Sequence, residues 1–323
     1  MRASMQDQHF YGHGKLLLTG EYFVLDGAMA LALPTTVGQS MKVKYRHSYQ
    51  PTLNWKSIDH SGKVWFESDY EFWHFKPIKN HEDSEKQDFV HQVLAAARFQ
   101  NPHFLRDDMD VFVETKIEFP LEWGLGSSST FLYNVAQWAY VSPFELLKKT
   151  IGGSGYDIAC AQAMRPIRFQ RVDNKPQWET VNFNPSFKDN IYFLYLGHKQ
   201  SSQSEVMSYS STKIEGKHLL VNEISQLTQE IISCQNLGTF NKIISVHEEI
   251  IAKTLKYEKV KEKYFKDFWG EVKSLGAWGG DFAMVTSDRS PSETRDYFNE
   301  KGFTTFIPFS ELARTDYLIE TNS

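Results

Sequence analysis

A run of small residues, Gly124-Leu125-Gly126-Ser127-Ser128-Ser129, feeds directly into a helical pattern. Glycines let a backbone approach an anion, a helix N-terminus offers unpaired N–H groups and a partial positive charge, and serine hydroxyls add ligands for phosphate or magnesium. Phosphate is the natural ligand of such a loop, although a plain Ser-capped helix start gives the same string. A dinucleotide site needs a third glycine and a strand running straight into the loop. Here Ser129 stands in the glycine's place and residues 120–123 intervene. The P-loop pattern fails as well, because Gly14-Lys15 is followed by Leu16 rather than Ser or Thr.

Two further glycine-rich strings stand out. Gly152-Gly153-Ser154-Gly155 breaks one helix and opens another at Tyr156-Asp157, where the carboxylate reads equally as a helix N-cap. Gly276-Ala277-Trp278-Gly279-Gly280-Asp281 suggests close backbone approach to a ligand, with an indole set among the glycines. Arg165, Arg168 and Arg171 offer guanidinium forks for a carboxylate or phosphate, a role that surface arginines also mimic.

These segments resemble the GHMP kinases, in the mevalonate and phosphomevalonate kinase branch. Gly14-Lys15-Leu16-Leu17-Leu18-Thr19-Gly20-Glu21-Tyr22 with Val24-Leu25-Asp26-Gly27 is similar to the family's first motif, the loop at 124–129 to the second, and the string at 276–281 to the third. Ser154-Gly155-Tyr156-Asp157 resembles the branch's base-bearing string, most closely that of phosphomevalonate kinases. The resemblance implies a cytoplasmic ATP- and Mg2+-dependent phosphotransferase acting on a small-molecule acceptor such as mevalonate or phosphomevalonate, in isoprenoid biosynthesis. Sugar kinases, a diphosphomevalonate decarboxylase and a non-catalytic ATP and metabolite sensor are the alternatives on this fold.

By the same resemblance Asp157 and Lys15 are catalytic, and Gly124, Leu125, Gly126, Ser127, Ser128 and Ser129 hold the nucleotide. Ser128 and Glu145 are the magnesium ligands, Glu145 standing one position from the usual place in a segment shorter than the family's. The acceptor would meet Glu21, Tyr22, Arg168, Ser201, Gly276, Ala277, Trp278, Gly279 and Gly280, Ser201 lying in the polar string Lys199-Gln200-Ser201-Ser202. Departures from the family pattern are Gly12-His13-Gly14 in place of Ala-Pro-Gly, Tyr22 in place of His, and Trp278 in place of a glycine. They bear on the acceptor rather than the nucleotide.

Positioning these residues requires a folded chain of about two domains. It has 323 residues, 41% apolar and 23% charged, with a net charge of −5 and no basic block, which speaks against nucleic acid as a partner. Residues 1–20 carry no signal-peptide core, and no apolar run is long enough to span a membrane. Cys160 and Cys234 lack metal spacing and suit a reducing compartment. A homodimer is compatible with the sequence, which does not fix the oligomeric state.

Strands are expected through residues 15–47, at 52–57, 63–67, 110–118, 168–172, 191–196, 282–286 and 304–308. Helices are expected at 88–99 and 127–140, after Pro143, at 218–235 and 239–255, in a segment ending at Ser274, and after Pro291. A polar stretch at 174–188 suggests a boundary, dividing the chain into 1–180 and 181–323. The fold class is α+β. The family likeness makes the first domain β-rich with a left-handed βαβ crossover and the second ferredoxin-like.

Overall fold

The computed structural model describes residues 7–79, 83–197, 202–276 and 281–315. The chain forms two compact units, the first from residues up to Gly14 with Val37–Leu121 and Gly126–Gln162, the second from Lys15–Thr36, Glu122–Leu125 and the chain from Ala163 onward. Strands β1 (Gln8–Leu17) and β2 (Ala30–His47) run through the points where one unit gives way to the other.

The first unit adds β3 (Thr52–Ile58), β4 (Val64–Glu71), α1 (Ser84–Gln100), β5 (Met109–Ile117), α2 (Ser127–Ala139), α3 (Pro143–Lys149) and α4 (Tyr156–Gln162). Strand β5 pairs antiparallel with residues 39–47 of β2 and parallel with β3, which pairs antiparallel with β4. The parallel pair follows from the connection: after β3 the chain makes the β4 hairpin and then α1 before returning as β5. In β5 every second residue, Val111, Val113, Thr115 and Ile117, is buried, as the alternation of the sequence predicts. Helix α1 buries Val90, Val93, Leu94 and Ala97, and α2 buries Leu132, Val135, Ala136 and Ala139, both at i, i+3, i+4, i+7 spacing. These stripes join Trp55, Tyr70 and Phe72 in one apolar core.

The second unit adds β6 (Ile167–Val172), β7 (Lys175–Thr180), β8 (Ile191–Tyr195), α5 (Ser202–Ser211), α6 (Lys217–Ser233), α7 (Leu237–Leu255), α8 (Val260–Tyr264), β9 (Val272–Leu275), β10 (Phe282–Thr286), α9 (Pro291–Glu300), β11 (Phe306–Pro308) and α10 (Phe309–Leu312). Residues 30–32 of β2 pair with β6, and β6 turns back into β7 at Asp173-Asn174, both with positive φ as a tight hairpin turn requires. A separate antiparallel sheet has the order β11-β8-β10-β9. Read from β8, the element order is strand, helices, strand, strand, helix, strand, which is the split βαβ pattern of a ferredoxin-like unit. Tyr192, Leu194, Phe265, Val285 and Phe298 form its core. With the large mixed sheet of seven strands, the architecture is α+β as expected.

One expectation is corrected. The helix expected to end at Ser274 is instead α8, ending at Tyr264, followed by β9, whose four residues pair with β10 from Val272↔Val285 to Leu275↔Phe282. Periodicity cannot separate a buried strand of four residues from a helix end. The compact units have their own bounds, the chain from Ala163 grouping with Lys15–Thr36, and the polar stretch at 174–188 contains β7. Among the described residues no helix is long and apolar enough to cross a membrane.

Candidate active site

In the first unit, the serine loop ends in a helix as its composition predicts. Gly126 is the N-cap of α2 with φ +90°, in the left-handed region that glycine enters without strain. Its carbonyl accepts the N–H groups of Ser129 and Thr130, each at 3.0 Å, and the Thr130 hydroxyl donates to Ser127 O at 2.9 Å. Ser128 is exposed on the first turn, whereas Ser129 is buried. The Ser129 hydroxyl donates to Asp157 Oδ2 in the first turn of α4. Three glycines before that turn, Gly152, Gly153 and Gly155, all have positive φ, and a Cβ on Gly155 would meet the Phe144 ring at 3.2 Å. The glycines therefore let α4 start where its aspartate meets the start of α2.

Glu145 is exposed in the first turn of α3, and its N–H donates to the Ser142 hydroxyl at 3.3 Å. Among the described residues no group of three His, Cys, Asp or Glu side chains is placed to hold a metal. Magnesium needs no such cage, since it keeps several waters and binds one or two protein oxygens plus substrate phosphates. The hydroxyl of Ser128 and the carboxylates of Asp157 and Glu145 are oxygen donors of that kind.

In the second unit, Lys15 in β1 donates from Nζ to Gly124 O at 2.8 Å, and its N–H donates to Leu125 O at 2.9 Å. A Cβ on Gly276 would lie 3.9 Å from Lys15 Nζ. A Cβ on Gly124, whose φ is +64°, would fall 2.0 Å from Oδ2 of the buried Asp281. Segment 122–125 is also held by Tyr195, whose hydroxyl donates to Glu122 O at 3.3 Å, and by Trp123 packed edge-on to Phe282 at 5.5 Å. The structure thus brings Lys15, Gly124, Gly276 and Asp281 together.

Tyr22 is a non-glycine residue with φ +61°, an uncommon conformation that often marks functional segments. It stacks on Tyr209 at 5.6 Å, and its hydroxyl donates to Glu205 at 3.3 Å. Tyr22 is itself buried, at 7% exposed, and Glu21 is only 1% exposed, so the structure places both in the core rather than on an open surface. Arg168 in β6 pairs with Glu179 and donates to Gln229 at 3.1 Å. Ser201 and residues 277–280 lie outside the described residues.

The sequence reading missed the partners of Glu21. Lys273 Nζ donates to Glu21 Oε1, Glu248 Oε2 lies 3.8 Å from the same ammonium, and His247 Nε2 lies 3.5 Å from Glu21 Oε2. All four side chains are at most 3% exposed. Burial pushes the Glu21 carboxyl up against the opposing pull of Lys273, and pushes Glu248 up to about 7. Burial, helped by the nearby Lys273 charge, holds His247 well below the usual histidine range, which fits its Nε2 accepting the Gly20 N–H at 3.1 Å. A helix-or-strand ambiguity hid Lys273, and only the burial of its strand would have exposed the pairing.

The fold is that of the GHMP kinases. The chain is similar to the mevalonate kinase of L. major in complex with R-mevalonate, with 14% identity and a TM-score of 0.65, over 92% of each chain. It is also similar to Lactococcus lactis galactokinase complexed with galactose, with 14% identity and a TM-score of 0.67, over 97% of this chain and 94% of that one. Against Streptococcus pneumoniae phosphomevalonate kinase in complex with phosphomevalonate and AMPPNP, identity is 17% and TM-score 0.63, over 94% and 99%. No family model matches the sequence, and no curated protein does.

Proposed function

We propose that the chain is an ATP- and magnesium-dependent small-molecule kinase that phosphorylates a mevalonate- or phosphomevalonate-like acceptor. The observation that carries this is the hydrogen bond from Ser129, on the first turn of the glycine-serine loop's helix, to the Asp157 carboxylate. A phosphate-type helix start and a candidate base are held side by side in one unit, as a phosphoryl transferase requires. Neighbours of this fold include kinases complexed with mevalonate, galactose, and phosphomevalonate with an ATP analogue.

In this reading residues 124–129 cradle the nucleotide phosphates through backbone N–H groups and hydroxyls. An acceptor hydroxyl attacks the γ-phosphorus, its proton passes to Asp157, and the bond to the bridging oxygen breaks to release ADP. Lys15 neutralises charge developing on the transferred group, held in place by its bond to Gly124 O. Ser128 and Glu145 would hold the magnesium, which when bound neutralises phosphate charge. Tyr22, Arg168, Ser201 and the segment 276–280 are the proposed acceptor contacts.

The test is ADP release from Mg-ATP over a panel of mevalonate, phosphomevalonate and common sugars, with carbon dioxide followed in parallel. Turnover of one acceptor without carbon dioxide is the expected result. Absence of turnover on every acceptor, with no binding of Mg-ATP by calorimetry, would overturn the proposal.

A further inference from the structure

The buried ionic cluster in the second unit is expensive in free energy, since charges taken out of water must be repaid by good geometry. Its hydrogen bonds show what the geometry does. Lys273 joins Glu21 at the end of the first motif to Ser274 O, at 2.9 Å, on the strand that leads into Gly276. Glu248 Oε1 on α7 accepts the Ser274 N–H at 3.1 Å, and His247 on the same helix accepts the Gly20 N–H. From α6, the Thr228 hydroxyl donates to the Thr19 hydroxyl at 2.8 Å, and the Thr19 oxygen also accepts the Leu31 N–H at 3.0 Å. The turn at 19–21 and the end of β9 at Ser274, which leads into Gly276 beside Lys15, are therefore both pinned by side chains from α6, α7 and β9.

We propose that Lys273 and His247 are positioning residues that lock the 19–22 turn and the β9 exit together, so that Lys15 and Gly276 keep a fixed spacing. Glu21 acts in this as the anchor of Lys273 rather than as an acceptor contact. The proposal rests on the kinase reading for its catalytic consequence, but the locking itself is a property of the fold. A hydrophobic residue at 273 would fill the core equally well and lose the link, which separates positioning from packing.

The test uses the full chain with Lys273→Met, Lys273→Arg and the double variant Lys273→Met/Glu21→Gln, the last also removing the Glu21 carboxylate that Lys273 pairs with and leaving Glu248 as the one carboxylate of the cluster. Hydrogen exchange followed by mass spectrometry should accelerate at least tenfold in peptides covering 15–22 and 272–276 of Lys273→Met and of the double variant. Peptides from α9 and from β6–β7 should keep wild-type protection, and Lys273→Arg should restore protection at both pinned segments. With turnover corrected for folded fraction, kcat should fall at least tenfold in Lys273→Met while the Michaelis constant for ATP changes less than threefold, and Lys273→Arg should recover most of the rate. Unchanged exchange at the two segments, or an equal rise across α9 and β6–β7, would overturn the locking. If the wild-type chain turns over no acceptor and binds no Mg-ATP, the kinase reading falls, and the exchange pattern still decides the positioning.

Discussion

The carboxylate of Asp281 occupies the space that a side chain at Gly124 would need. A methyl group there would sit 2.0 Å from Oδ2 and 2.3 Å from Cγ, against an aspartate only 6% exposed. The glycine of the second motif and the aspartate that ends the third are thus complementary in shape, which neither string reveals alone.

Gly124→Ala is expected to cost about 1–3 kcal/mol by overpacking and by its left-handed backbone. Gly152→Ala, also at positive φ but with nothing within 4 Å, should cost only the backbone share, about 1 kcal/mol. Urea melts of both variants, of Asp281→Ala and of Gly124→Ala/Asp281→Ala provide the check. The double variant should lose less than the sum of the single ones, because the two side chains compete for one volume.

Binding of Mg-ATP should stabilise the chain. If the nucleotide binds only the folded state, saturation at about 100 times its dissociation constant adds roughly 2.7 kcal/mol. Thermal melts with and without millimolar Mg-ATP measure this, and an unmoved midpoint would count against residues 124–129 as a nucleotide loop.

Asp157→Asn should lower turnover by about 10² to 10⁴ when the acceptor is an alcohol, because a hydroxyl must lose its proton on attack. An acceptor phosphate is already anionic at neutral pH, so the loss should then be smaller. Ser129→Ala removes the donor to Asp157 and leaves the carboxylate in place, so its effect should be milder than that of Asp157→Asn in the same assay. Full activity of both variants on every substrate would exclude Asp157 as the base.

The buried cluster should give opposing pH dependences of stability. Folded, the Glu248 carboxyl keeps its proton up to about pH 7, against an ordinary value of 4.5, so its contribution is present at low pH and lost as pH rises through 7. Glu21, raised in the same way by burial, acts in the same direction. His247 stays neutral when folded while the unfolded chain protonates below 6.5, so its contribution is present above 6.5 and lost on acidification. Each full slope is about 1.36 kcal/mol per pH unit, and between 4.5 and 6.5 the two oppose. Chemical denaturation from about pH 5 to about pH 7 should therefore show stability rising more steeply with pH in Glu248→Gln and falling more steeply in His247→Gln than in the wild type. Identical slopes in both variants would contradict the assignment.

The parts of the fold and site that were legible in the sequence are those encoded locally. The serine-glycine loop, the three glycines before Asp157 and the alternation of β5 each carry their own conformational demand, and the structure places Ser129 on Asp157 as such strings allow. Glu21 and β9 were not legible for the same physical reason. A carboxylate next to Tyr22 in a turn looks open to solvent until Lys273 is seen inside a strand of four residues, and nothing near either residue announces the other. The interleaving of the units was hidden likewise, because the pairing of residues 30–32 with β6 spans more than a hundred residues of chain.

That separation sets a timetable for the nascent chain. Glu21 and Lys273 are 252 positions apart, and at about 5–20 residues per second a ribosome takes roughly 13 to 50 s between them. Throughout that interval Glu21 is a solvated carboxylate, His247 and Glu248 arriving only near its end, while the Val37–Leu121 and Gly126–Gln162 segments of the first unit are already complete. The first unit can settle during synthesis, whereas the second must wait for β9 to neutralise an anion made at the start. A chain stalled or cut before residue 273 would lack the cation that pairs Glu21, and would carry an unpaired carboxylate where the core of the second unit closes.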